Sequence, residues 1–302
     1  MPNPPSLGTR ADARRWNGAK ALAPRGQGRS PLPGFGIALG FTLLYLSLLI
    51  LVPIAAVFAK SAGLSWEAIW KIASAPRTLA AFKLSLWASG AAALINAVFG
   101  LVVAWVLERY EFPGRRLVDA LVDLPFALPT AVAGIALATV YSPKGWLGRP
   151  LHALGIEAAY TSIGVVLALT FVGLPFVVRT VQPVLRGLDT ALEEAAASLG
   201  ATRAQTLRRV ILPELLPAVI SGCVLAFARA LGEYGSVIFI AGNMPLKSEI
   251  TPLLIMIKLE QFDYAGATTI ASMFLLLSFG ILFSANVLAW RRGRRLAAPE
   301  MA

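Results

Sequence analysis

Apolar residues run along this chain in long uninterrupted blocks separated by short polar gaps. A hydrocarbon core of about 30 Å takes about 20 residues of helix. Six blocks are of that order: Ile37 to Ala59, Leu84 to Leu107, Leu121 to Tyr141, Tyr160 to Val178, Leu215 to Ile240 and Ala265 to Trp290. They predict an all-α membrane protein with six transmembrane helices. A further run, Thr251 to Leu259, is too short to span and predicts an interfacial or re-entrant helix. Pro53, Pro125, Pro129, Pro175 and Pro217 interrupt the blocks and predict kinks, because proline removes an intrahelical bond. Kinked helices fit a bundle around a pathway, and also the ordinary frequency of proline in membrane helices. Gly36 and Gly40 form one G-x-x-x-G pair.

The polar gaps set the orientation. With a cytoplasmic N-terminus, 18 Lys and Arg residues fall in cytoplasmic segments and 8 in external ones, which places both termini in the cytoplasm. Residues 1–33 are rich in Pro, Gly and Arg with a single acid, Asp12, and predict a disordered basic cytoplasmic tail. Residues 34–295 form the membrane domain and 296–302 a C-terminal tail. The first block is too long for a cleaved secretory signal.

Composition agrees. Hydrophobic residues make up 57% and charged residues 14%, against about 25% charged in soluble domains, and mean hydropathy is +0.70. The net charge of +11 lies in the gaps, where it orients the chain instead of binding nucleic acid. One cysteine, Cys223, and one histidine, His152, build neither a disulfide framework nor a metal cage. A membrane hydrolase using that pair is disfavoured, since His152 falls in an external loop and Cys223 within the fifth span. No lysine follows Gly and precedes Ser or Thr, so a P-loop is absent and any ATPase is a separate polypeptide.

The segment from Gly187 to Pro213 is too polar to insert and punctuates itself twice. Thr190 with Glu193 makes a capping box, Leu188, Leu192, Ala195, Ala196 and Leu199 an apolar stripe, and Gly200 a left-handed C-cap. Thr202 with Gln205 makes a second box, opening a helix that Pro213 ends. On pattern alone, this hairpin buries its stripe either on a partner or on its own helix ends.

Glu194, Ala195, Ala196, Gly200, Val210, Leu212 and Pro213 resemble the EAA signature of ABC importer permeases, with Val210 in place of Ile. That resemblance implies a cytoplasmic coupling-helix hairpin, 187–213, seated in a groove of a separate ATPase. It also implies the type I ABC importer permease fold. The stretches Phe227 to Pro245 and Ser248 to Ala267 are similar to the T-type permeases of bacterial sulfate/thiosulfate importers. The core Leu231, Gly232, Glu233, Tyr234 and Gly235 is shared with molybdate permeases, so a related molybdate or tungstate importer is the alternative. The later Leu259 to Tyr264 favours the sulfate type. The resemblance implies a second homologous permease as heterodimer partner, two ATPase subunits that bind the ATP and Mg, and a periplasmic sulfate/thiosulfate-binding protein. It implies no catalytic residue and no cofactor in this chain, and an inner-membrane location. A secondary anion transporter would explain the spans but gives no reason for the hairpin.

Arg229 and Glu233 are charges inside the fifth span, four residues apart and able to pair on one helix face. They read either as lining the pathway or its gate, with Arg229 attracting the dianion, or as a structural pair. Gly232 and Gly235 suit a hinge or close packing, with Tyr234 between them. Asn96 predicts an interhelical hydrogen bond, and Asp119 and Asp123 suit the N-terminus of the third span.

Overall fold

The computed structural model describes residues 34–296, whose regular elements are all helices, with no strand among them. The tails expected at 1–33 and 297–302 lie outside the described residues. The chain divides into two units, Met1–Pro53 and Ile54–Ala302. Among the described residues, five helices are long and apolar enough to cross a bilayer: α1 (Phe35–Ala62), α3 (Pro76–Arg109), α8 (Ser162–Gly187), α10 (Arg203–Leu231) and α13 (Tyr264–Leu296), whose apolar part is Tyr264–Val287. Shorter helices lie between them: α2 (Trp66–Ala73), α4 (Arg115–Val122), α5 (Leu124–Ala127), α6 (Thr130–Tyr141), α7 (Gly148–Ala153), α9 (Thr190–Ser198), α11 (Val237–Ile240) and α12 (Thr251–Glu260).

In the first unit, Phe35–Leu46 is apolar on every side and buries no residue. A helix hydrophobic all round belongs in lipid or against other membrane helices. Among the described residues, a Cβ at Gly36 or at Gly40 would meet nothing within 4 Å.

The second unit is built on α3, α8 and α10. Their contact surfaces are small: Ala88, Ala92, Ala93 and Ala104 of α3 and Ala218, Ala226 and Ala230 of α10 are buried. Val177 of α8, fully buried, occupies the crossing. A Cβ at Gly100 of α3 would come within 2.8 Å of the Val177 Cβ, and one at Gly222 of α10 within 2.8 Å of the Val177 Cα. Lipid supplies no hydrophobic drive between helices, so backbone approach at such glycines supplies the packing energy.

Two of the six expected spans are not single helices. Leu121 to Tyr141 is divided among α4, α5 and α6. Pro125 and Pro129 lack the N–H a helix needs, and Leu128, held extended at ψ 137° ahead of Pro129, separates α5 from α6. Leu215 to Ile240 ends as a helix at Leu231, and α11 begins only at Val237. The run expected at the interface, Thr251 to Leu259, forms α12 and packs into the body with Leu253 and Leu254 buried.

Two prolines in long helices follow a wider turn, whereas Pro175, Pro183 and Pro217 sit inside regular α-helix. Ser47–Leu51 and Leu207–Ile211 are π-helical turns, each ending two residues before a proline, Pro53 and Pro213. The proline ring clashes with the carbonyl four residues back, and an i to i+5 turn moves that carbonyl aside. Pro213 therefore does not end the helix as expected. The helix runs through it to Leu231.

Asp119 lies within α4 and Asp123 at the N-cap position of α5, but neither side chain caps a helix. Both bind Arg179 of α8: the guanidinium donates to Asp123 through Nε (2.8 Å) and Nη2 (2.6 Å), and to Asp119 through Nη1 (2.7 Å). Gln182 adds a bond to Asp119. Burial opposes ionisation of Asp119, but the hydrogen bonds from Arg179 and Gln182 and the Arg179 charge outweigh it and hold the carboxyl below its ordinary range. Asn96 departs further from expectation. It is fully buried against Gly173, and neither amide atom has a partner among the described residues.

The Val177 crossing predicts that Gly222→Val destabilises the subunit by about 1–3 kcal/mol through overpacking. Gly280→Val, with open space at its Cβ, should leave the thermal midpoint in detergent unchanged. A second expectation concerns acid. A carboxylate with a lowered pKa contributes stability above its unfolded value of about 3.9, lost as pH falls through the folded value. Arg179→Gln removes the cause of that lowering, so the variant should melt below wild type at neutral pH, and the gap between their melting temperatures should narrow as pH falls into the acid range where the wild-type contribution is lost.

Candidate functional site

Two places gather the residues singled out in the sequence, one in the hairpin and one at the end of α10. In the hairpin, the helix carrying Glu194, Ala195 and Ala196 is α9. Its cap is Asp189, one residue before the expected Thr190. The Asp189 carboxylate accepts from the Ala191 N–H at 2.9 Å, which leaves Thr190 in the first turn. Gly200 adopts φ +81°, the left-handed conformation expected of it, and its N–H bonds the Ala197 carbonyl at 2.9 Å. The second capping box forms in both directions: the Thr202 N–H donates to Gln205 Oε1 (2.8 Å) and the Gln205 N–H to Thr202 Oγ1 (3.4 Å).

The apolar stripe divides. Leu188 packs on the core of the unit, whereas Leu192 is 48% and Leu199 89% exposed. Glu194, Ala195, Gly200 and Pro213 are exposed, while Val210 and Leu212 are half-buried. The two adjacent glutamates differ. Glu193 accepts from Arg109 of α3 at 2.6 Å, and the Glu194 side chain has no partner among the described residues. Beside this pair, Glu108 accepts two bonds from Arg186 of α8 (2.9 and 2.7 Å) and lies 3.7 Å from Arg115 of α4.

At the other place, Arg229 in the last turn of α10 pairs with Glu233 at 2.5 Å. A cation there also complements the helix dipole. The expected shared helix face is not what joins them, because α10 stops at Leu231 and the pair wraps around its end. Glu233 is 2% exposed and its second oxygen accepts from the Ser236 N–H and hydroxyl, both at 3.0 Å. This side-chain claim on the backbone competes with a helix and holds the chain open between α10 and α11. The Arg229 side chain is 35% exposed, and Glu233 is its one ionic partner among the described residues. Ser85, Ser89, Leu169 and Pro252 line a narrow crevice with Glu233.

The glycines here are not equivalent. A Cβ at Gly235 would collide with the Thr130 side chain of α6, so Gly235 serves close packing. Gly232 has a negative φ of −92° and open space around it. Tyr234 is half-buried against the core.

Residues that the sequence reading passed over lie nearby. Arg77 binds Glu249, which is 2% exposed, through two bonds of 2.7 and 2.6 Å. The Ser85 hydroxyl accepts from the Thr251 N–H at 2.8 Å. Spacing carries no trace of these partners, since they are brought together only by α3 packing on α12. Among the described residues no three His, Cys, Asp or Glu side chains cluster to hold a metal, and Cys223 lies half-buried with its thiol 3.5 Å from the Ala93 carbonyl.

The fold has solved counterparts. A bacterial ABC transporter involved in the import of the acidic polysaccharide alginate has a chain matching with TM-score 0.69 at 18% identity, over 85% of this chain and 94% of that one. An inward-facing methionine ABC transporter, MetNI, matches at 0.54 and 20% identity, over 76% and 99%. Sequence relatives are nearer. The sulfate transport system permease protein CysT of Salmonella typhimurium is 50% identical over 268 residues, 89% of this chain and 97% of its own length. That of Synechococcus elongatus is 54% identical over 248 residues, 82% and 89%. With half of all residues shared along most of the chain, and the family pattern matched across residues 96–294, the protein belongs to the binding-protein-dependent transport system inner membrane components.

Proposed function

We propose that the chain is a membrane-spanning permease subunit of an ATP-driven sulfate/thiosulfate importer, moving the anion across the inner membrane by alternating access. The observation that carries this reading is the identity of 50% with proteins named as sulfate permeases over 89% of the chain. The bare leucines of the hairpin support it physically, since Leu192 and Leu199 need a covering surface that none of the described residues provides. That surface is the groove of a separate ATPase, two copies of which bind the ATP and Mg. A second homologous permease completes the pathway, and a periplasmic binding protein delivers the anion.

In this reading the chain crosses the membrane six times, with Leu121 to Tyr141 forming the broken third crossing, and both termini are cytoplasmic. Glu194, Ala195, Ala196, Gly200, Val210, Leu212 and Pro213 present the coupling surface. Arg229, Gly232, Glu233, Tyr234 and Gly235 form the gate region. Arg229 keeps guanidinium donors beyond its one bonded partner, and those donors suit a tetrahedral dianion.

The complex in proteoliposomes should take up labelled sulfate or thiosulfate on ATP addition in preference to molybdate; preference for molybdate would overturn the substrate. Gly200→Asp, which forces a side chain into a backbone at φ +81° and charges the docking face, should abolish uptake while the subunit remains in the membrane. Normal uptake by an assembled Gly200→Asp complex would count against the coupling role. At the gate, removing one partner of a buried pair costs about 3 kcal/mol, whereas neutralising both largely spares folding. Arg229→Gln with Glu233→Gln should therefore assemble and transport poorly, and full sulfate uptake by that double variant would eliminate the anion role of Arg229.

A further inference from the structure

We infer that the Arg109–Glu193 ion pair is the tether by which the hairpin helix α9 pulls on α3, and that α3 is the lever carrying this pull to the Glu233 crevice. The inference rests on the permease reading above and adds the route within this chain.

Three observations build it. First, α9 buries none of its residues, so packing does not fix it to the membrane helices. Its flanks are the extended Leu188 and the left-handed Gly200, neither of which continues a helix. Among the described residues, the Glu193 contact with Arg109 is the one ion pair joining α9 to another helix. Second, the tether is anchored at its far end. The Arg109 guanidinium lies 5.4 Å from the Trp105 ring centroid, and its side chain is only 21% exposed. The preceding residue, Glu108, is gripped by Arg186 and Arg115, so a pull on Arg109 acts on the last turn of α3 as a body.

Third, α3 is stiff and reaches the right place. It is continuous over 34 residues with its single proline at the first position, whereas α10 contains a π-turn and α8 two internal prolines. Ser85 and Ser89, which line the crevice beside Glu233, lie on this same rod, Ser85 about 36 Å from Arg109 at 1.5 Å per residue. The neighbouring glutamates divide the work. Glu193 faces inward to Arg109, and Glu194, about 100° around the helix, is exposed and unpaired among the described residues, free for a partner outside the chain.

The test uses the assembled complex with Cys223→Ser and spin labels at Lys83→Cys on α3 and Ile163→Cys on α8, both exposed positions. The distance between labels is measured with and without a non-hydrolysable ATP analogue, and ATP-driven uptake and hydrolysis are measured beside it. With wild-type Arg109 and Glu193, nucleotide should change the distance. Glu193→Arg should abolish the change and cut uptake per ATP hydrolysed about tenfold, and Glu193→Gln should do so more weakly. The exchange Arg109→Glu with Glu193→Arg should restore both, which a purely structural defect would not. A distance change that persists in Glu193→Arg, or none with the native pair, overturns the tether. A complex that carries no sulfate at all overturns the substrate reading alone, since the label distance still reports on the lever.

Discussion

Everything in the membrane body depends on three helices meeting at a single valine. Val177 fits between α3 and α10 only because positions 100 and 222 carry no side chain. In lipid the association of helices comes from close contact, and contact is lost steeply with distance. The alanines along both neighbours continue the same surface, with Ala88, Ala92 and Ala104 on one side and Ala226 and Ala230 on the other. The charged side chains are thereby displaced to the two ends of the bundle, where they form separate layers.

Those layers differ in character. At the hairpin end the charges are shared, with Glu108, its side chain 6% exposed, serving two arginines and the half-open Arg179 two aspartates. Water remains close to the Arg179 pairs, so their net contribution is modest. At the other end Glu233 and Glu249 are both 2% exposed, and each has an arginine of its own. A buried carboxylate that loses its cation has no solvent to turn to, so these contacts define position rigidly.

Much of this is legible in the residues alone. The hairpin reads clearly because capping is local chemistry: Thr202 with Gln205 and the left-handed Gly200 follow from residues three or four apart. The Arg229–Glu233 pair is legible for the same reason of proximity. Break points are less so, since hydropathy counts residues and is blind to where a proline or the Glu233 carboxylate diverts the backbone. The cap expected at Thr190 falls one position away because Asp189 offers an equivalent oxygen. Long-range partners such as Arg77 with Glu249, 172 residues apart, leave no local mark at all. Asn96 shows the converse, a residue whose type suggests a bond that its packed surroundings do not supply.

The wide turn at Leu207–Ile211 has a consequence for angular phase. A π-turn contains one residue more than the α-turn it replaces, so every side chain beyond it is rotated by about 100° from where an unbroken helix would aim it. Arg229 lies eighteen residues past Ile211, five full turns along a straight helix, and inherits that rotation undiminished. The direction in which the guanidinium points at one end of α10 is thus set by an extra residue at the other end, next to Pro213. Were that turn to tighten or migrate, the charge would sweep around the helix axis without any residue near it changing conformation.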